Sequence, residues 1–177
     1  MQGCGWDTRR APVGRNDQPG EEVLDLLDDW LTRVADEEGG PVPVIGHSRG
    51  GQEARVLAVR RPEAISLLVT LGAPLRALYP PHVAVRVPAA AYQFSAWARR
   101  VPKDVEGRSR FEADLAAPFP DGVPFVSIHS RSDGFLDWRL CLDPAADNVA
   151  IDCTHFGLTA SVAAFTAIAA ALHLLDD

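Results

Sequence analysis

At 177 residues, 47% of them hydrophobic, the chain is long enough to bury a sizeable core as one domain spanning residues 1–177, which excludes collagen-like, coiled-coil and disordered classes. A formal charge of −7 argues against a nucleic-acid partner; neutralising phosphate needs a clustered basic surface, and Arg9–Arg10, Arg60–Arg61 and Arg99–Arg100 are isolated pairs. No apolar run reaches the roughly 20 residues that span a bilayer, and the first residues, MQGCGWDTRRAPVGRND, lack the apolar centre of a secretory signal, so a cytoplasmic location is expected.

The first predicted element is a helix over Glu21–Glu38, where Val23, Leu26, Leu27, Trp30, Leu31 and Val34 form one apolar stripe with acidic residues opposite. Gly39 and Gly40 stop it. PVPVI follows as a short strand, awkwardly for a ladder paired on both sides because Pro43 has no N–H to donate. Gly50 to Arg61 reads as a helix ended by Pro62, and ISLLVTLG, Ile65–Gly72, as a strand covered on both faces.

Tyr79 to Asp121 differs in character. It is rich in proline, alanine and arginine, carries Tyr92, Phe94 and Trp97, and shows a weak helical period, as expected of a lid inserted at 79–121. PFVSIHS, Pro124–Ser130, and NVAIDC, Asn148–Cys153, are the remaining strands, and a helix over Thr159–Leu175 that buries Val162, Phe165, Ile168 and Leu172 closes the chain. Strands alternating with helices imply right-handed crossovers and a mostly parallel sheet of about four strands with flanking helices. Cys4, Cys141 and Cys153 are too few and too scattered for a disulfide scaffold or a metal site. A bridge between Cys141 and Cys153, across a short turn and strand, stays open.

The chemistry concentrates at VPVIGHSRGG, where Ser48 stands between an apolar strand and a helix. A sharp reversal there strains the central residue and exposes its side chain. Gly46 and Gly50, two positions to either side, are expected to remove the clash that a Cβ would make across such a bend. The bend also sets Ser48 beside unpaired N–H groups at the start of the next helix, among them that of Arg49, suited to an oxyanion.

A serine hydroxyl needs a base, and the base needs an orienting acid. Of five histidines, His47 lies inside the bend and is expected to point elsewhere, His82 lies in the lid, His129 within a strand and His173 on the last helix. His155 alone occupies a loop after the last strand, where open sheets of this kind assemble sites. Asp133, in an Asp-Gly turn at the end of the preceding strand, is the first choice of acid, with Asp137 as the fallback.

The order Ser48, Asp133, His155, together with GHSRGG, TLGAP at Thr70–Pro74, SRSDG at Ser130–Gly134 and THFGL at Thr154–Leu158, resembles the α/β-hydrolases, specifically their bacterial lipase- and esterase-like members. The resemblance implies a partial α/β-hydrolase fold with a lid insertion. It also implies a serine hydrolase of carboxylic esters in which Ser48 is nucleophile, His155 general base and then acid, Asp133 the orienter and the Arg49 N–H part of the oxyanion hole. Neither metal nor organic cofactor is implied, and the lid aromatics favour an ester with an apolar acyl group.

One departure stands out: members of that family usually begin with further strands and a His-Gly loop that donates a second oxyanion N–H, and no such loop precedes Gly46. Val42–Ile45 is then expected to be an exposed sheet edge through which two copies could pair. Two further readings follow: an amino-terminally shortened remnant that needs a partner or a missing segment, and an acyltransferase using the same three residues.

Overall fold

The structure, a computed structural model, describes residues 6–14, 20–75 and 105–175. Four strands, β1 (Val42–His47), β2 (Ile65–Leu71), β3 (Phe125–Ser130) and β4 (Asp147–Ile151), form one sheet in the order β1-β2-β3-β4. Every neighbouring pair is parallel. The helices are α1 (Gly20–Glu38), α2 (Arg49–Arg60), α3 (Val105–Ala116) and α4 (Val162–Leu172).

Alternation along the central strands divides the core into two layers, because successive side chains point to opposite faces. Leu67, Val69 and Leu71 of β2, with Val126 and Ile128 of β3, pack against Ile168, Ala171 and Leu172 of α4. Leu68 and Phe125 face the other way and join Val23, Leu27 and Leu31 of α1, Leu57 of α2, and Phe111 and Leu115 of α3. Two buried hydroxyls on that second face are satisfied in series: Thr70 Oγ1 lies 3.2 Å from Ser127 Oγ, which donates to the Cys141 carbonyl at 2.7 Å. Among the described residues, no helix is long and apolar enough to cross a membrane.

Several expectations need correction. Of the 79–121 segment, the described part includes α3, which packs Phe111 and Leu115 into the core; residues 76–104, with Tyr92, Phe94, Trp97 and His82, lie outside the described residues. On α4, Ile168 and Leu172 are buried, but Val162 is 82% exposed and Phe165 42%. The reason is the alanine content of this helix: Ala164 and Ala171 fill the inward positions that the larger residues were assigned. Leu26 of α1 is also exposed, and Leu24 takes its place in the core. Cys141 and Cys153 are both free thiols. Burial pushes the Cys141 thiol up to about 12, so it packs as a small apolar group.

Among the described residues, β1 ends the sheet on one side. Its register on β2 slips between Val42 and Pro43, and Ile45 is 40% exposed although the neighbouring β2 is almost wholly buried. A groove of about 590 Å³ runs beside this strand, lined by Pro43 and Ile45, by Trp30 and Val34 of α1, and by Trp6. It reaches Gly46, His47 and Gly50 at the carboxyl end of β1.

Candidate active site

The bend between β1 and α2 holds Ser48 at φ 54°, ψ −122°, and Ser48 is the one non-glycine residue with positive φ among the described residues. Its N–H donates to the Leu71 carbonyl at 2.8 Å, while its own carbonyl accepts from the Gly51 and Gln52 amides at 3.0 and 3.3 Å. The hydroxyl makes no capping bond to α2. A residue held in this region costs on the order of 1–3 kcal/mol. Ser48→Gly is therefore expected to raise the urea midpoint by the equivalent of about 1 kcal/mol over Ser48→Ala, after glycine's own entropic cost is subtracted. Equal midpoints for the two variants would contradict a strained bend.

The glycines that permit the bend are not the expected pair. A Cβ on Gly46 would lie 2.5 Å from the Gly50 carbonyl oxygen, and one on Gly51 would lie 2.5 Å from the Ala73 Cβ. Nothing lies within 4 Å of the position a Cβ would take on Gly50. Close approach of α2 to β1 and to the end of β2 thus depends on Gly46 and Gly51, whereas Gly50 faces open space.

Asp133 and His155 are brought together and buried, each 4% exposed. His155 Nδ1 lies 2.6 Å from Asp133 Oδ2, the short distance of a charge-assisted bond. Because a carboxylate accepts, Nδ1 carries the proton in neutral His155 and Nε2 is left as the basic nitrogen. The other carboxylate oxygen, Oδ1, accepts from the Phe135 and Leu136 amides at 2.9 and 3.0 Å, which fixes the carboxylate plane. The backbone repeats the tie, since the His155 N–H donates to the Asp133 carbonyl at 3.0 Å.

Four residues not assigned a role from the sequence complete the arrangement. Ser130 Oγ donates to the Cys153 carbonyl at 2.6 Å and accepts from the amides of Ser132 and Cys153, stapling the turn that carries the acid to the loop that carries the base. Gly72, at φ 53°, offers no Cβ where one would meet Leu158 at 2.6 Å and stand 3.3 and 3.4 Å from His155 Nδ1 and Asp133 Oδ2. Phe135 stacks on the His155 ring with centroids 4.8 Å apart. His47, expected to point away, instead places Nε2 3.1 Å from the His155 carbonyl, with the two rings 4.7 Å apart. Of these, Gly72, Ser130 and His47 stand within the quoted TLGAP, SRSDG and GHSRGG, and Phe135 lies outside them. The contacts of all four join distant segments.

Ser48 is joined to this group from two sides: through its neighbour His47, and through Leu71, which accepts its N–H and adjoins Gly72. Asp137, the fallback acid, is exposed and caps a short turn by accepting from the Arg139 amide at 3.0 Å. His129 is buried and stacks on Trp138, and His173 lies exposed at the end of α4. The Arg49 N–H opens α2, and the Arg49 side chain pairs with Glu53 at 3.1 Å.

No protein-family model and no curated protein sequence matches the chain. Solved structures do match in shape. A serine hydrolase from the polyaromatic-hydrocarbon-degrading bacterium Cycloclasticus zankles superposes with a TM-score of 0.57 at 17% identity, covering 98% of this chain and 78% of that one. The mature lipase of Bacillus licheniformis gives 0.61 at 15%, covering 90% and 75%. The 2-hydroxy-6-oxo-6-phenylhexa-2,4-dienoate hydrolase of Rhodococcus sp. strain RHA1 gives 0.57 at 16%, covering 96% and 75%.

Proposed function

From the fold these likenesses share, that of the α/β-hydrolases in partial form, we propose that the chain is a serine hydrolase that cleaves carboxylic esters. The observations that support this reading are the buried 2.6 Å bond between Asp133 and His155, and a serine in a strained strand-to-helix bend whose preceding residue, His47, reaches the His155 carbonyl. Ser48 Oγ attacks the ester carbonyl carbon while His155 Nε2 takes its proton. The carbon–oxygen bond to the alcohol then breaks, and the imidazolium returns the proton to the departing alkoxide. Water repeats the sequence on the acyl-enzyme and releases the carboxylic acid. The Arg49 N–H, first in α2, is the oxyanion donor in this scheme.

Aromatic surroundings support an apolar acyl group. Phe135 covers one face of the His155 ring, and Phe156, beside it in the chain, is 70% exposed. Nitrophenyl esters of increasing acyl length test the reading. A stoichiometric burst of nitrophenol followed by slower turnover is expected, strongest for medium chains. Neither burst nor turnover from folded protein would refute it.

The side of β1 that no described strand covers favours a second reading, in which turnover needs a further segment or a second chain against that edge. Both Ile45 and the adjacent groove would then be covered. Specific activity that rises with protein concentration supports this reading, and activity independent of concentration opposes pairing of copies.

A further inference from the structure

We infer that His47 is a positioning residue that holds the base-bearing loop in register with the serine through its Nε2–H donated to the His155 carbonyl. This rests on the hydrolase reading of the same site.

Ser48 leaves the end of β1, whereas Asp133 leaves the end of β3, and β2 lies between them. Strands two places apart are separated by about 10 Å. The His155 loop is tied firmly on the β3 side, by the bonds from its backbone and ring to Asp133 and by the Ser130 staple. Those ties fix the imidazole relative to the acid, and the relation of base to serine is a separate requirement. His47 meets it directly. It immediately precedes Ser48, pairs with Leu71 as the last residue of β1, and reaches the His155 carbonyl at 3.1 Å.

The chemistry of that contact fixes the tautomer. A carbonyl oxygen only accepts, so His47 carries its proton on Nε2. Burial first, and then the neighbouring His155, lower the His47 pKa from its ordinary value, while the His155 carbonyl and Asp133 pull it the other way. These effects favour the neutral form of His47, which adds no positive charge against the imidazolium that forms on His155. Because reacting atoms must meet within narrow limits, a small drift of the base acts on the chemical step rather than on substrate binding.

Three variants separate this from a packing role. His47→Phe keeps an aromatic ring but donates nothing; His47→Gln sets an amide N–H near the position of Nε2; His47→Asn is too short to reach. With active sites counted by fluorophosphonate titration, His47→Phe and His47→Asn are expected to lower kcat and the labelling rate about tenfold with KM nearly unchanged, the order of one hydrogen bond. His47→Gln should recover to within about threefold of the parent. Parental kcat per titrated site in His47→Phe or His47→Asn, or His47→Gln as slow as His47→Asn, would overturn the inference. Should one variant fail to fold, the remaining pair still decides between the outcomes. If the parent chain itself takes no label, the hydrolase reading fails and this inference with it; a parent labelled at Ser48 alongside equally fast variants removes only the role of His47.

Discussion

Ser48→Ala is expected to reduce ester turnover by on the order of 10⁴- to 10⁶-fold while leaving the fold intact. The loss is large because the hydroxyl forms the covalent intermediate, and no other residue of Gly46–Gly51 carries a hydroxyl. Folding should survive because the hydroxyl caps nothing: the bonds at this position belong to the backbone, from the Ser48 N–H to Leu71 and from Gly51 and Gln52 to the Ser48 carbonyl. Alanine keeps the Cβ and with it the strain, so the urea midpoint should stay near the parental value. Steady-state kinetics and an unfolding curve on one preparation check both halves. Turnover retained within tenfold would remove Ser48 from the chemistry.

Asp133→Asn carries the second large effect, about 10⁴-fold in kcat. The substitution is nearly isosteric, and an asparagine oxygen can still accept from the Phe135 and Leu136 amides. The amide nitrogen would then face His155 Nδ1 as a donor and force that nitrogen to become an acceptor. The ring proton moves to Nε2, the atom that must be bare to receive the serine proton. A small structural change thus becomes a large chemical one. Asp137→Asn provides the contrast, because that carboxylate caps an exposed turn, and its kcat should stay within about twofold of the parent, as for surface changes elsewhere. If Asp137→Asn were the crippled variant instead, the assignment of the acid would be wrong.

The layered fold was legible because its signals are local. Continuous runs such as Ile65–Gly72 and Pro124–Ser130 announce buried strands, and the strands found there, β2 and β3, are almost wholly buried. The stripe on α1 was readable for the same reason, although Leu24 rather than Leu26 turned inward, a shift within the tolerance of a wide apolar face. α4 misled because alanines can line a core as well as valine and phenylalanine can, and periodicity cannot tell which side of a uniformly apolar helix faces in.

Within the site, the sequence pointed to Ser48 through its flanking glycines, and to Asp133 and His155 through their places after strands. What it could not supply was the way distant loops lean on one another. Ser130 and Cys153 are 23 residues apart, and His47 and His155 are 108 apart. Nothing in either neighbourhood announces those bonds. Gly50 shows the opposite failure. Its spacing from Ser48 matches a pattern, yet the steric need falls on Gly51, because Ala73 at the end of β2 is what the helix must clear.

The most direct test is to treat the folded chain with a fluorophosphonate and locate the adduct by mass spectrometry. One phosphonyl group per chain on the peptide that contains Ser48, with labelling slowed by orders of magnitude in Asp133→Asn, is the expected result. A folded chain that stays unmodified, or one labelled at the same rate with the carboxylate removed, would contradict a working unit of Ser48, His155 and Asp133.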